Sequence, residues 1–295
     1  MPLSRKCCAT LGRIIGALAL AAALAACSTV KLAYNNLPEI SYWWLDDYVD
    51  FDDAQTPRVR DELRQLLAWH RREELPKLAA LLQRMQALAP DDVTPAQACE
   101  LVDAFRVRLL AVAERVEPAA AELARSLDAA QLAQLERKYH KLNDKYREDW
   151  LARSPEQQRD KRYEQLLDRS EDFYGRLDAA QREWLREQVG PPAFDPVEID
   201  GERRKRQQET LALLRGLRAD GQGAEQARAE VHAYVMRIGT PPPGPARERQ
   251  RAMQQEACRT FAALHNQTTA AQREKAVRRL QGYEGDLQQL SGQPS

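Results

Sequence analysis

The sequence has few of the residues that form strands and tight turns. Only 13 of its 295 residues are glycine, and aromatic residues make up 6%. The commonest residues are alanine, leucine, arginine, glutamine and glutamate, which favour helices and are poor strand formers. This composition excludes an all-β fold and predicts an all-α, irregular multi-helix bundle.

The chain also lacks a net charge of either sign. The chain has 44 Lys and Arg residues against 44 Asp and Glu residues, so its formal net charge is zero. A protein without surplus positive charge has no bulk electrostatic attraction for nucleic acid. Because 43% of the residues are hydrophobic, there is enough apolar material for a packed core. We therefore expect a folded protein with no nucleic-acid partner.

Sequence signatures of catalysis and metal binding are missing as well. No glutamate stands three residues before any of the four histidines, which excludes the di-iron bundle motif. These histidines are His70, His140, His232 and His265. There is no Gly-x-Ser-x-Gly, P-loop, dinucleotide glycine or His-Glu-x-x-His pattern. The acidic residues of 46–53 lack the glycine and the distal glutamate of an EF-hand. We predict a non-enzymatic protein with no metal and no cofactor.

The N-terminus has the features of a secretory signal. Three basic residues precede the apolar stretch 14–23, which is too short for a permanent membrane span. Leu24-Ala25-Ala26-Cys27 resembles a bacterial lipobox, which implies cleavage before Cys27 and acylation of that residue. By the sorting rule of such lipoproteins, Ser28 implies the outer membrane. We predict a chain that is lipid-anchored in the outer membrane and faces the periplasm.

Processing changes both the charge and the cysteine count. The signal contains three cations and no anions, so 41 cations and 44 anions remain, a net charge of −3. Cys7 and Cys8 leave with the signal and Cys27 is acylated, so Cys99 and Cys258 remain in an oxidising compartment. Both lie on apolar stripes, so we predict that they form a disulfide; the alternative is two separately buried thiols.

A recurring pattern marks helix starts. An Asp, Thr or Ser is followed three residues later by Gln, as in a capping box, at 52/55, 94/97, 128/131, 154/157, 178/181 and 269/272. The first copy is ambiguous, because Pro57 would fall inside that helix and Thr56 is an alternative cap. The predicted helices cover 38–49, 57–88, 95–125, 129–152, 155–175, 179–189, 201–218, 224–238, 246–266 and 270–290.

These elements define the predicted domain organisation. A signal peptide at 1–26 is followed by a lipidated N-terminus and tether at 27–45, a helical domain at 46–290 and a tail at 291–295. The proline-rich stretch 190–200 is either a loop or a connector between two subdomains. The apolar periodicity of helix 95–125 predicts one buried face, formed by Cys99, Val102, Phe105, Leu109, Val112 and Val116.

Two clusters are candidate contact surfaces. Tyr42, Trp43 and Trp44 follow the lipidated residue closely. They either pack onto the bundle or lie at the headgroup level beside the acyl chains. The run Arg203-Arg204-Lys205-Arg206 is either a solvated face or a site for anionic lipid heads or another acidic envelope component.

The string Trp69-His70-Arg71-Arg72-Glu73-Glu74-Leu75-Pro76 admits two interpretations. His70 beside charged neighbours could transfer protons, but no nucleophile or metal spacing accompanies it. We favour a packed tryptophan within an ion-pair network, ahead of a proline kink at Pro76. Pro118 should likewise kink or interrupt its helix.

Several of these motifs together resemble an uncharacterised family of Gram-negative lipoproteins, classed only as a domain of unknown function. They are the lipobox, Tyr42-Trp43-Trp44-Leu45-Asp46-Asp47-Tyr48, Trp69-His70-Arg71 with Leu75-Pro76, and His265-Asn266-Gln267-Thr268-Thr269-Ala270-Ala271-Gln272-Arg273 with Tyr283. The resemblance implies no catalytic residues.

The recurrent caps resemble a second group, the Spy-like periplasmic chaperones. These small helical proteins carry a Leu-Thr-x-x-Gln motif and cradle unfolded clients. We therefore expect a non-enzymatic, chaperone-like binding module, attached to the membrane by its acyl anchor, with a protein or envelope component as partner. The alternative is a structural or assembly lipoprotein of an envelope complex.

Overall fold

A computed structural model describes residues 30–189, 194–219 and 223–293. Within these ranges there are eleven α-helices and no strand, which confirms the all-α fold. The helices are α1 (Leu37–Val49), α2 (Gln55–Trp69), α3 (Leu75–Leu88), α4 (Pro95–Ser126), α5 (Ala129–Tyr146), α6 (Pro155–Tyr174), α7 (Ala179–Gln188), α8 (Pro196–Ala219), α9 (Ala224–Gly239), α10 (Pro245–Asn266) and α11 (Ala270–Ser291). None of the helices in these ranges combines the length and apolarity needed to span a bilayer.

The helices pack as an irregular bundle. The long helix α4 packs against α9 and α10, and α3 packs along α11. The buried apolar residues form several small clusters, of which one joins α6, α7, α10 and α11 around Tyr174, Leu185 and Leu264. The core is therefore distributed over the bundle.

The capping boxes are confirmed at five of the predicted helix starts. In each box the side chain of the cap residue accepts a hydrogen bond from the backbone amide of the glutamine three positions later. The side chain of that glutamine accepts a hydrogen bond from the backbone amide of the cap residue. The five cap residues are Thr94, Asp128, Ser154, Asp178 and Thr269. These contacts satisfy amides that have no partner within the helix.

At the first copy, α2 begins at Gln55 and its N-cap Ala54 makes no side-chain cap, but Asp52 and Gln55 still exchange the two hydrogen bonds of a capping box. Oδ1 of Asp52 accepts from the amide of Gln55 at 2.7 Å, and the amide of Asp52 donates to Oε1 of Gln55 at 3.2 Å. Thr56 instead contacts the hydroxyl of Tyr42 at 3.0 Å. Pro57 is tolerated because it lies in the first turn of α2, where its missing N–H has no intrahelical acceptor.

The capping glutamines also pair with one another across the bundle. Nε2 of Gln55 donates to Oε1 of Gln131 at 3.2 Å, and Nε2 of Gln131 donates to Oε1 of Gln55 at 2.6 Å. Gln181 and Gln272 form the same reciprocal pair, at 2.9 and 3.0 Å. Each pair joins the starts of two helices that are distant in sequence, so a local motif also makes a tertiary contact.

A π-helical turn precedes Pro76. Residues His70–Glu74 form this turn between α2 and α3. Proline cannot donate a backbone hydrogen bond and its ring crowds the preceding turn, so a wider turn there accommodates it. Glu74 is fully buried and is paired with Lys77 at 2.7 Å and Arg108 at 3.5 Å. Pro118 does not interrupt its helix, because α4 continues through it.

The predicted buried face of α4 is wrong in part. Leu109 is 71% exposed and Val102 is also exposed. The buried residues of this helix are instead Ala98, Leu101, Glu117, Ala121 and Ala124. Small side chains are buried there because α4 lies close to several neighbouring helices at once.

The N-terminal stretch assigned to a tether is folded where it is described. Residues 30–35 are helical, and Tyr42 of α1 is buried against Phe51 and Val59. Cys27 and the predicted signal peptide lie outside the described residues, as do residues 190–193 of the stretch 190–200. The subdomain connector there stays a prediction.

Candidate functional site

An apolar groove lies between α6, α7 and α10. Its volume is about 450 Å³, within the range of ligand-binding clefts. The apolar lining consists of Met85, Leu166, Phe173, Tyr174, Leu185, Phe194, Met253, Ala257, Phe261 and Leu264. Tyr174, Leu185 and Leu264 are buried and form the floor, whereas Met253 and Phe261 are each 38% exposed at the mouth. The groove therefore presents apolar surface to solvent.

A buried hydrogen-bond relay supports the floor. Nδ1 of His265 contacts the hydroxyl of Tyr174 at 2.9 Å, and Nε2 of His265 lies 2.9 Å from the carbonyl oxygen of Asp91. Since a carbonyl only accepts, Nε2 carries the proton and Nδ1 accepts from Tyr174. Burial lowers the pKa of His265, and burial raises the pKa of Tyr174 far above its ordinary value. The two hydrogen bonds and the two pKa shifts all favour the neutral forms of His265 and Tyr174.

The lining of the groove also includes charged side chains. Arg162 of α6 and Glu256 of α10 form an ion pair at 2.8 Å, and Arg162 also lies over the ring of Phe194. The guanidinium of Arg169 is exposed on the same side. Charges in this position can orient an incoming partner, while the apolar floor supplies burial.

Helix α10, one wall of the groove, is fixed at two points. Cys258 is joined by a disulfide to Cys99 of α4, with Cα atoms 5.5 Å apart. At the end of the helix, the side chain of Asn266 accepts from the amide of Val93 at 2.8 Å and donates to its carbonyl at 3.1 Å. Arg273 then pairs with Asp92 at 2.6 Å. The 265–273 run thus holds α10 and α11 against the loop before α4.

The aromatic cluster of Tyr42, Trp43 and Trp44 divides into two groups. Tyr42 is buried and hydrogen-bonds to Thr56, as expected if it packs onto the bundle. Trp43 and Trp44 expose 62% and 58% of their surface. Only one of the three aromatics therefore contributes to the core.

The cationic run on α8 also divides. Arg203 and Arg204 pair with the buried Asp200, and Arg203 also donates to Asn143 at 2.6 Å. Lys205 and Arg206 have exposed side chains. Asp200 thus pairs with two of the four cations, and the other two remain for an anionic contact.

The remaining histidines are not brought together. His70 hydrogen-bonds to Tyr34 at 2.8 Å, His232 contacts the buried carboxylate of Glu117 at 2.9 Å, and His140 is exposed. Burial lowers the pKa of His70, although Glu74 acts in the opposite direction. Among the described residues, no group of three His, Cys, Asp or Glu side chains could hold a metal ion.

A comparison with protein-family models finds one family that matches residues 47–234, more than half of the chain. It is described as a family of unknown function (DUF6279). The chain belongs to this family. The match confirms the resemblance to an uncharacterised family. It includes α2 to α8, and therefore the α6 and α7 walls of the groove. No curated protein and no solved structure matches the chain.

The sequence did not show where a groove between helices would lie. Its lining comes from four helices and from Phe194, over more than 170 positions of the chain. The one available signal was the clustering of Met253, Phe261 and Leu264 on a single helix, which a core position explains equally well.

Proposed function

We propose that this protein is a periplasmic lipoprotein of the outer membrane that acts as a non-enzymatic binding module. Its groove between α6, α7 and α10 holds an apolar segment of a protein partner, as a chaperone-like activity requires. The observation that carries the proposal is the apolar cleft with Met253 and Phe261 open to solvent at its mouth. The lipobox at 24–27 supports the location.

The chemistry of the groove favours an apolar segment of a protein over a small polar molecule. Its floor is formed by Leu185, Leu264 and the ring of Tyr174, and the hydroxyl of Tyr174 is already bound to His265. Burial of side chains from a partner gains free energy without demanding a particular sequence. The Arg162–Glu256 pair in the groove lining adds charges of both signs, which suits segments of varied composition.

The test compares two double variants of the mature chain in an aggregation assay with a purified unfolded client. Phe261→Ser with Met253→Ser removes the exposed apolar mouth and should abolish most of the suppression of client aggregation. The matched control is Val107→Ser with Leu109→Ser, which removes two exposed apolar side chains from α4, outside the groove lining. Equal activity of the two variants, or no suppression by the unmodified chain, would contradict the proposal.

A further inference from the structure

An apolar face is presented to solvent where the described chain begins. Of the fourteen large hydrophobic residues exposed in the described ranges, six lie between positions 30 and 44. We call them the N-terminal apolar face: Val30, Leu32, Leu37, Ile40, Trp43 and Trp44. On α1, Leu37, Ile40 and Trp44 follow the three- and four-residue spacing of one helix side. A concentration of exposed apolar side chains of this kind marks an interaction site.

The opposite side of the same segment carries the polar contacts. Lys31 is 3.4 Å from Asp286 of α11, Tyr34 bonds to His70 at 2.8 Å, and Asn35 accepts from Arg71 at 2.6 Å. Tyr42 points inward in the same way. The usual arrangement, with polar groups outward and apolar groups inward, is thus partly reversed. These inward bonds hold the apolar side chains in their outward orientation.

The position of the predicted acylation site identifies the occupant. Cys27 stands three residues before the first described helical residue, and three residues of chain span at most about 10 Å. An acylated Cys27 therefore places a bilayer within reach of this face. Tryptophan prefers the boundary between headgroups and acyl chains, because its ring is apolar and its N–H remains hydrated.

We propose that the N-terminal apolar face lies on the bilayer surface and sets the orientation of the bundle against the membrane. This inference rests on the proposed acylation of Cys27. The contact is hydrophobic in origin: Lys31 is paired with Asp286, and Arg60, beside Tyr42 and Trp43, is paired with Glu39 at 3.3 Å. Binding should therefore depend little on salt or on anionic lipid, unlike binding through a basic patch.

The test uses the mature chain from residue 27 with Cys27→Ser, so that no acyl chain contributes. Its binding is measured by flotation with phosphatidylcholine vesicles and with vesicles that also contain phosphatidylglycerol, at low and high salt. The unmodified face should bind both vesicles, with a blue shift of tryptophan emission. Trp43→Ser with Trp44→Ser should weaken partitioning about tenfold or more, because two large apolar rings no longer enter the interface.

Two further variants control for folding and for nonspecific apolarity. Leu37→Ser with Ile40→Ser should weaken binding without touching the aromatic contacts of α1, and Val107→Ser with Leu109→Ser should leave it unchanged. Equal flotation of all variants, binding only to anionic vesicles at low salt, or tryptophan-dependent dimerisation without vesicle binding would overturn the inference. Palmitate labelling in cells of the chain that keeps Cys27 tests the acyl anchor separately. The groove variants Phe261→Ser with Met253→Ser leave the N-terminal apolar face unchanged, so they test the binding function separately. The failure of either proposal is thus distinguishable from the failure of the other.

Discussion

The buried glutamine pair should make one capping box far more important to stability than another. Gln131 accepts from the amide of Asp128 at 2.9 Å and from Nε2 of Gln55, and it donates to Oε1 of Gln55 and to the carbonyl of Asp50 at 3.0 Å. It is 6% exposed. Gln157 occupies the same position in an exposed box, where its side chain accepts from the amide of Ser154 at 3.0 Å.

The substitution Gln131→Ala removes all four of these hydrogen bonds. Each buried group left without a partner costs about 1–3 kcal/mol, but Gln55 keeps its bonds to Asp52 and Ser126. We therefore expect a loss of about 2–4 kcal/mol in the free energy of unfolding. Gln157→Ala loses only an exposed capping contact and should cost about 1 kcal/mol or less.

Urea unfolding of both variants, with the disulfide intact, measures the difference. A double-mutant cycle with Gln55→Ala isolates the cross-helix pair and should give a coupling of about 1–2 kcal/mol. Equal losses for Gln131→Ala and Gln157→Ala, or no coupling in the cycle, would refute a tertiary role of the capping glutamines.

Three other predictions concern the disulfide, pH and the anchor. Reducing the Cys99–Cys258 bond, which spans 159 positions, should lower the free energy of unfolding by about 5 kcal/mol in the chain-entropy model, and an unchanged urea midpoint would contradict this. Burial lowers the pKa of His265 in the folded chain, so as the pH falls His265 is protonated in the unfolded chain before it is protonated in the folded chain. The free energy of unfolding should therefore fall as the pH drops through about 6.5, the ordinary pKa of histidine. In His265→Asn the free energy of unfolding should change less steeply with pH, by up to about 1.4 kcal/mol per pH unit. Thermal melts between pH 7 and 5 measure this slope, and a slope equal to that of the unmodified chain would contradict the prediction. Cys27→Ala should end palmitate incorporation in cells, and persistent label would place the acylated residue elsewhere.

Most helix starts could be predicted because a capping box is a local device. The cap and the glutamine are three residues apart, so the pattern needs no information from the rest of the chain. The start of α8 was missed, since the helix begins at Pro196 and not at 201. A local signal was present there too: Asp195 accepts from the amides of Val197 and Glu198, and proline is favoured at the first helical position.

Periodicity was a weaker guide to which side of a helix is buried. On α4 the stripe through Val102 and Leu109 faces solvent, whereas Ala121 and Ala124 are buried. An apolar stripe shows that one face differs from another, but the neighbouring helices decide which face is covered. The same limit applies to Tyr42 and Trp43, which are adjacent in sequence and are buried and exposed respectively.

The sequence by itself determined the all-helical fold, most of the helix starts and the absence of recognisable catalytic motifs, because these depend on residue type and on spacings of a few positions. Only the tertiary structure decided the pairing of Gln55 with Gln131, the groove between α6, α7 and α10, and the outward face at the N-terminus. The groove combines residues from Met85 to Leu264, and their meeting depends on how amphipathic helices pack in three dimensions. Many packings bury similar apolar area, so periodicity alone does not select one.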